Sequence, residues 1–192
     1  MLRDEVDRLI LVKHAPPVID PDLPAPRWRL SREGEARCGP LAERLAAFRP
    51  AALASSPEPK ARRTADFVAA RLGLTVAEVE GLHEHDRTGV PFLGDDEFEA
   101  MVARFFARPS QLIFGHETAV QALARFSGAV DRVVHRHPSG TVVLVTHGTV
   151  ISHFVADRAG IEVFPLWRRL GLPSFVVLSR PGFGLVEVAP EI

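Results

Sequence analysis

The sequence predicts an α/β protein: a three-layer α/β/α sandwich around a mostly parallel central sheet. Three observations predict it. Short aliphatic runs without polar alternation are typical of strands buried on both faces. Helical apolar spacing follows these runs, and alternating strands and helices indicate one layered sandwich. The chain has 192 residues, 46% hydrophobic and 24% charged, which is enough for one sizeable core. Residues 1–192 are therefore predicted to form a single domain.

The first half of the chain alternates strand and helix signals. Arg8 to Lys13 is an aliphatic run that ends at a proline-rich loop. Ser31 is the predicted N-cap of a helix that has two glutamates in its first turn and stops before Pro50. Three further elements are predicted here: a strand over residues 51–55, a helix over 59–72 and a strand over 74–79.

The second half opens with an irregular, glycine-containing loop over residues 82–95. Residues 141–146 give the clearest strand signal of the chain, because every residue but Leu144 is β-branched. The other predicted elements are helices over 95–107, 117–135 and 149–159, and a closing pair of strands over 174–179 and 184–188.

Composition excludes several classes of protein. Twenty-three basic residues against twenty-four acidic ones give a net charge of −1, which argues against a nucleic-acid-binding or membrane-surface protein. The single cysteine, Cys38, cannot form an intrachain disulfide or a cysteine metal cluster, and is expected in the core. The apolar run near the N-terminus is too short for a signal peptide or a membrane span. We therefore expect a cytoplasmic protein.

Polar residues follow three of the predicted strands at the point where each one ends. They are Lys13-His14, Ser55-Ser56 and Thr146-His147. In open α/β sheets, ligands bind beyond the carboxyl ends of the strands. The helix after Ser56 carries Lys60 in its first turn, where free backbone N–H groups and the helix dipole favour an anion. Two histidines, two lysines and a helix N-terminus indicate a phosphate site.

The same segments carry a family resemblance. In chain order they are LVKHAPP, the W-x-L-S-x-x-G of residues 28–34, SSPEPKARRTA, Glu84 and VLVTHG. Together, from about Leu9 to Gly148, they resemble the histidine phosphatase superfamily, branch 1, also called phosphoglycerate-mutase-like. Two histidine-containing strand ends in the right order around the serine-serine-proline segment make a specific signal. The resemblance implies a phosphoglycerate-mutase-like fold and no cofactor.

The resemblance also implies roles for five residues. His14 is then the nucleophile that accepts the phosphoryl group as phosphohistidine, and His147 donates hydrogen bonds to the phosphate oxygens. Glu84 is the acid that protonates the leaving oxygen and afterwards deprotonates the attacking water. Lys13 and Lys60 stand where the family has phosphate-binding arginines.

Elementary chemistry supports these roles. Phosphoryl transfer needs an in-line nucleophile and cations around the transferred oxygens. Lys13 and Lys60 should depress the pKa of His14 and keep it neutral for attack, whereas a bound phosphate dianion should favour protonated His147. A carboxylate such as Glu84 can act as acid in one step and base in the next. This chemistry requires no metal.

Three departures from the family pattern affect phosphate binding. Lysine replaces arginine at Lys13 and Lys60, so charge is kept and bidentate geometry is lost. Ala15 replaces the glycine after the nucleophile. These changes predict weaker phosphate binding or slower turnover. Arg63, one helical turn after Lys60, is a candidate substitute in the phosphate site.

Two readings of the histidines and carboxylates remain open. His83, His85 or Asp86 are alternatives to Glu84 as the acid, because they surround it in sequence. The spacings His83-x-His85 and 135–137 also occur in metal sites, but the sequence offers no cysteine and no well-placed third ligand.

The sequence therefore predicts a metal-independent phosphatase that hydrolyses a small phosphomonoester through phospho-His14, with neither nucleic acid nor membrane as partner. One alternative is phosphoglycerate-mutase-type transfer, although the chain is short and lacks a long insertion to enclose such a product. The other is a non-catalytic phosphate-binding module, which the two lysines motivate. The loops over residues 16–28 and 81–94 are expected to set substrate specificity.

Overall fold

A computed structural model describes residues 7–192 and contains a six-stranded sheet flanked by helices. The strands are β1 (Arg8–Lys13), β2 (Pro50–Ser55), β3 (Val76–Glu78), β4 (Thr141–Thr146), β5 (Ser174–Ser179) and β6 (Leu185–Ala189). The helices are α1 (Arg32–Ala46), α2 (Pro59–Leu72), α3 (Asp95–Ala107), α4 (Ala119–Arg136), α5 (Gly148–Ala159) and α6 (Val163–Arg169), with a short 3₁₀ turn at Ala25–Arg27.

The sheet is mostly parallel, as the sequence predicts. Its strand order is β3-β2-β4-β1-β5-β6, and the first four strands run parallel. The last two pair antiparallel, β5 with β1 and β6 with β5. The register pairs Lys13 with Thr146 and Ser55 with Val145, so β1, β4 and β2 end at the same edge. The three polar strand ends therefore meet.

Both faces of the sheet are covered, which completes the three-layer sandwich. Successive strand side chains point to opposite faces. On one face, β1 residues Leu9 and Leu11 pack with α4 and α5. On the other, Ile10 and Val12 pack with α1 and α2. This burial on both sides explains why the central strands are continuous aliphatic runs. A separate aromatic cluster joins α3 to the start of α4.

Most predicted elements are confirmed within a residue or two, and the helix starts show why. Ser31 caps α1 by accepting the backbone N–H of Gly34 over 2.9 Å. The start of α4 is two residues later than predicted, because Thr118 forms a capping box with Gln121. The third strand is shorter than predicted. Sequence reasoning missed α6, a seven-residue helix whose mixed apolar run has no clear helical period.

Cys38 is buried, in agreement with the prediction of a core residue. Over residues 7–192, none of the helices combines the length and apolar character that crossing a membrane requires.

Candidate active site

Two histidines face each other at the carboxyl edge of the sheet. The parallel register brings His14 and His147 out of the sheet side by side, and the His14 backbone N–H donates to the Thr146 carbonyl over 3.0 Å. The centroids of the two imidazole rings lie 5.1 Å apart, with the ring planes at 65°. His14 is 7% exposed and His147 only 1%. One ring is thus sealed in, while the other keeps a small opening to solvent.

The surroundings of His14 select one tautomer of its ring. Nδ1 lies 2.8 Å from the carbonyl oxygen of Ala15, and a carbonyl can only accept. Nδ1 therefore carries the proton in the neutral ring, which leaves Nε2 with a free lone pair. The Ala15 backbone is itself held, since its N–H donates to the Thr64 hydroxyl over 3.1 Å. The loop that follows β1 thus fixes both the ring and its nucleophilic nitrogen.

Both histidines are held neutral by their environment. Burial is the largest cause of the lowered pKa of His14, followed by the neighbouring His147 ring and the charges of Lys60 and Lys13. Burial and Lys60 likewise hold the pKa of His147 well below its ordinary value, although Glu84 opposes the shift. The sequence correctly predicts a lowered pKa for His14, but it attributes the shift to the lysines, whereas burial is the largest cause.

We expect the His14 and His147 rings to stay neutral down to pH values well below the ordinary histidine midpoint of about 6.5. Burial lowers the pKa of both rings, because a charged imidazolium cannot be solvated there. An NMR titration of the ring carbons checks this, with His14→Ala and His147→Ala used to assign the resonances. A midpoint at or above the ordinary value for His14 contradicts the expectation.

Ser56 and Glu58 bring the start of α2 to the histidine pair. A hydrogen bond of 2.8 Å joins the Ser56 hydroxyl to Nε2 of His147. Glu58 is the N-cap of α2 and is 7% exposed. One of its carboxylate oxygens, Oε1, lies 3.4 Å from the same nitrogen and accepts the Glu84 backbone N–H over 2.8 Å. A buried carboxylate therefore lies inside the histidine cluster.

Lys60 lies in the site, but its charge is already paired. Its ammonium group forms an ion pair with Oε2 of Glu58 and donates to the Ala25 carbonyl over 2.8 Å. It is 5% exposed. Lys60 is thus a buried cation next to both histidines, where the sequence predicts it, and its role as a phosphate ligand stays a prediction. An entering phosphate would compete with Glu58 for it.

Lys13 approaches the histidine pair from the end of β1. Its Nζ donates to the Leu170 carbonyl over 2.6 Å. Burial lowers the pKa of Lys13 to about 8, against the opposing charge of Glu84, so Lys13 remains largely protonated at neutral pH. A Cβ at Gly148 would lie 3.0 Å from Cε of Lys13. The glycine after His147 therefore makes room for this side chain at the N-terminus of α5.

Glu84 lies between the histidine cluster and α5. Its carboxylate accepts the backbone N–H groups of Thr149 (3.1 Å) and Val150 (3.3 Å), which have no partner inside the helix. Burial acts to raise the pKa of Glu84, but the neighbouring His147 and Arg87 side chains and its backbone hydrogen bonds outweigh burial and lower it. Glu84 is therefore ionised in the unliganded site.

The residues around Glu84 in sequence face other surroundings. The His85 ring packs against Phe105 and Phe114, with centroid distances of 4.3 and 4.6 Å. The Asp86 carboxylate accepts the backbone N–H of Thr88 in its own loop. Neither side chain is placed against the histidine pair, which favours Glu84 over these two alternatives. His83 is half-buried, and burial lowers its pKa.

An arginine on α4 holds the segment that carries Glu84. Arg125 donates to the carbonyls of Gly81 (2.8 Å), His83 (2.9 Å) and Glu84 (3.1 Å). Its guanidinium group also forms an ion pair with Glu117. Four interactions from one planar group fix the backbone of this otherwise irregular loop. Glu84 is therefore supported from a helix that the sequence motifs do not include.

The structure does not bring Arg63 into the site. Its guanidinium group pairs with Glu35 of α1 over 3.2 Å and lies above the ring of Phe67, 4.4 Å from the centroid. The side chain is 54% exposed. Arg63 lies on the outer side of α2, where a neighbouring helix supplies its partner. The expectation that it substitutes for a lost phosphate-binding arginine is therefore corrected.

Sequence reasoning missed Glu58 and Arg125. A carboxylate at a helix start, two residues before Lys60, was a signal for an ion pair in the site. Nothing in the sequence near Arg125 pointed to Glu84, because 41 positions separate the two residues. The role of Arg125 depends on the packing of α4.

We expect Glu58→Gln to strengthen the binding of inorganic phosphate by roughly tenfold, because it removes a negative charge beside Lys60 and keeps a hydrogen-bond acceptor. Calorimetry at constant pH measures this dissociation constant without any turnover. Glu43→Gln on α1, which removes an exposed carboxylate paired with Arg71, is the matched control. Equal phosphate affinity in both variants contradicts the competition between Glu58 and phosphate.

Comparison with known proteins decides the family. Residues 22–182 match the model of the histidine phosphatase superfamily (branch 1). The chain belongs to this superfamily. The matched residues include Lys60, Glu84 and His147 and begin after His14, so the role of His14 is argued from its geometry.

Relatives agree with this assignment. The chain is 25% identical over 131 residues to an uncharacterised phosphatase PhoE of Bacillus subtilis, an alignment that covers 68% of this chain and 65% of PhoE. The chain thus spans less than two thirds of that relative. The solved structure of YhfR from Bacillus stearothermophilus superposes with a TM-score of 0.77 at 23% identity, covering 97% of this chain and 98% of YhfR.

A mycobacterial glucosyl-3-phosphoglycerate phosphatase superposes with a TM-score of 0.76 at 22% identity, covering 96% of this chain and 99% of that one. These likenesses to solved structures establish the shared fold, which is the phosphoglycerate-mutase-like fold that the sequence resemblance implied.

Proposed function

We propose that this protein is a phosphomonoesterase that transfers a phosphoryl group from its substrate to Nε2 of His14 and then to water. The observation that carries the proposal is the state of His14. Its Nδ1 is committed to the Ala15 carbonyl, its ring is neutral, and a second histidine lies edge-on at 5.1 Å. A neutral imidazole with one free nitrogen among buried cations is suited to attack on phosphorus.

In the first step, the His14 Nε2 lone pair forms a bond to phosphorus as the bond to the ester oxygen breaks. Lys13 and Lys60 supply positive charge to the transferred oxygens, and His147 donates a hydrogen bond to them. Glu84, which is ionised in the free site, takes up a proton from solvent when the phosphate enters, and the departing alkoxide takes this proton. Phosphate entering beside Glu84 raises the pKa of that carboxyl, because it adds negative charge next to a carboxylate.

In the second step, water attacks phosphohistidine and Glu84 takes its proton. The bond from phosphorus to His14 breaks, inorganic phosphate leaves, and the free imidazole is restored. The lowered pKa of Glu84 and its hydrogen bonds to the α5 N-terminus hold the carboxylate ready for this role. Arg125 maintains its position through the loop backbone. When phosphate leaves, Glu84 returns this proton to solvent, so side chains of this chain and water account for every proton and electron pair.

Phosphate release from a panel of phosphomonoesters tests the proposal. Release of inorganic phosphate into water supports hydrolysis, whereas movement of the phosphoryl group to a second hydroxyl indicates mutase-type transfer. Because the N–P bond of phosphohistidine survives alkaline denaturation, radiolabelled protein recovered at high pH reports the intermediate. Tight binding of phosphoesters without turnover or labelled protein would instead indicate a non-catalytic binding module.

A further inference from the structure

A large cavity lies between the two loops that the sequence analysis expected to set specificity. Its volume is about 550 Å³, which is within the usual size range of small-molecule sites. Residues 19–28 line one side and residues 87–98 the other. The residues that line the cavity do not include the two histidines, the two lysines or Glu84, so the cavity has room for a part of the substrate other than the phosphate.

The cavity adjoins the reaction centre. Ala25 lines it and also accepts the hydrogen bond from Lys60. Arg87 lines it, and its charge lowers the pKa of both Glu84 and His147. A molecule whose phosphate lies between the lysines and histidines would therefore extend into this cavity with its ester oxygen near Glu84. The cavity is placed to hold the alcohol part of a phosphomonoester.

Apolar side chains dominate the cavity and are exposed to solvent in the unliganded protein. Ile19 is 57% exposed, Leu23 44% and Phe92 51%. Large apolar side chains concentrated in one concave, solvent-exposed site mark a place where an apolar ligand displaces water. The exposure of this group is otherwise unfavourable for the folded protein.

The aromatic part of the wall is preorganised. The Trp28 indole N–H lies within hydrogen-bond distance of two carbonyls, those of Asp20 (2.8 Å) and Leu23 (3.1 Å), and its ring centroid is 6.4 Å from that of Phe92. Because the indole nitrogen is satisfied by its own loop, the ring presents only its apolar surface to a ligand. The ring planes are tilted by 52°, so the two rings pack against each other and form one continuous aromatic surface along the cavity, against which an apolar ring of a ligand can pack.

The charges in the cavity disfavour a second anionic group. Asp22 and Asp95 line it, against one arginine. That arginine, Arg87, lies over the ring of Phe98, with 4.6 Å from its guanidinium carbon to the ring centroid. The balance of charge is therefore negative, and a substrate with another phosphate or carboxylate in this cavity meets like charge.

We propose that the substrate is a monophosphate ester of a neutral, largely apolar alcohol with a ring, and that the cavity between residues 19–28 and 87–98 holds this alcohol. This proposal rests on the proposed function, in which the phosphate lies beside His14 and the alcohol extends away from it. Burial of a ring against Trp28 and Phe92 contributes binding energy remote from the reacting bond, which an enzyme can use to orient that bond.

Hydrolysis of 2-naphthylmethyl phosphate (the naphthyl ester) and of glycerol 1-phosphate by the full chain tests the proposal, because both esters release a primary alcohol of similar leaving-group ability. We expect kcat/KM to be at least about tenfold higher for the naphthyl ester, and Phe92→Ala to reduce this ratio by about tenfold. Val186→Ala, which truncates a comparably exposed apolar residue on β6, should leave the ratio unchanged. A preference for the glycerol ester, or a ratio that Phe92→Ala does not alter, overturns the proposal.

Binding separates this proposal from the proposed function. If neither ester is hydrolysed, the phosphatase activity is wrong, and calorimetry with 2-naphthylmethyl phosphate then tests the cavity alone. Tighter binding of the naphthyl ester than of glycerol 1-phosphate, weakened about tenfold by Phe92→Ala, supports an apolar alcohol site. Equal affinity for the two esters contradicts it.

Discussion

His14→Ala is expected to reduce phosphate release at least about 1,000-fold, because the variant has no group to carry the phosphoryl intermediate. The His14 side chain makes one hydrogen bond, to the neighbouring Ala15 carbonyl, so its removal should leave the sheet intact. Initial rates of phosphate release measure the loss, and circular dichroism verifies the fold. Labelled phosphohistidine should disappear together with activity.

His135→Ala is the matched control for this variant. His135 is an exposed histidine on α4, and its loss should affect neither rate nor labelling. If His14→Ala retains turnover or labelling, the nucleophile is another group and the proposed mechanism is wrong.

Glu84→Gln is expected to lower kcat by about 100- to 10,000-fold for esters of poor leaving groups, because glutamine cannot donate or accept the transferred proton. With 4-nitrophenyl phosphate the leaving group needs no proton, so the first step should survive while attack by water slows. Phosphohistidine should then accumulate in Glu84→Gln and be recoverable at high pH. Rapid-quench labelling measures its amount directly.

Asp86→Asn provides the comparison for Glu84→Gln. It changes a neighbouring carboxylate whose hydrogen bond is to its own loop, and its activity should stay near wild type. A large loss in Asp86→Asn with little change in Glu84→Gln would transfer the acid role to Asp86. Because glutamine preserves one carbonyl acceptor for the α5 N–H groups, an intact helix distinguishes lost chemistry from lost capping.

The predicted strand ends located the candidate active site because, in a parallel sheet, neighbouring strands end at the same edge. Buried parallel strands must be aliphatic on both faces, so the end of each strand can be recognised in the sequence where polar residues begin. The chain alone therefore indicated His14, His147 and the start of α2, and the structure brings them together. Lys13 and Lys60 follow from the same logic, since each adjoins a strand end or a helix start.

Arg63 shows the limit of that logic. Residues three apart lie on neighbouring positions of a helix, but α1 packs beside α2 and offers Glu35 as a partner. Helix packing decided which side of α2 faces the site. The spacing of residues along one helix carries no information about that packing. The same holds for Arg125, whose contacts with the Glu84 loop depend on where α4 lies on the sheet.

The amino-acid sequence by itself determined the layered fold, the family and the two histidines, because short-range hydrophobic periodicity and motif order are properties of neighbouring residues. Tertiary structure alone decided the tautomer of His14, the pairing of Glu58 with Lys60 and the apolar cavity beside them. These features depend on desolvation and on contacts between distant segments, and both quantities are set only when the chain packs.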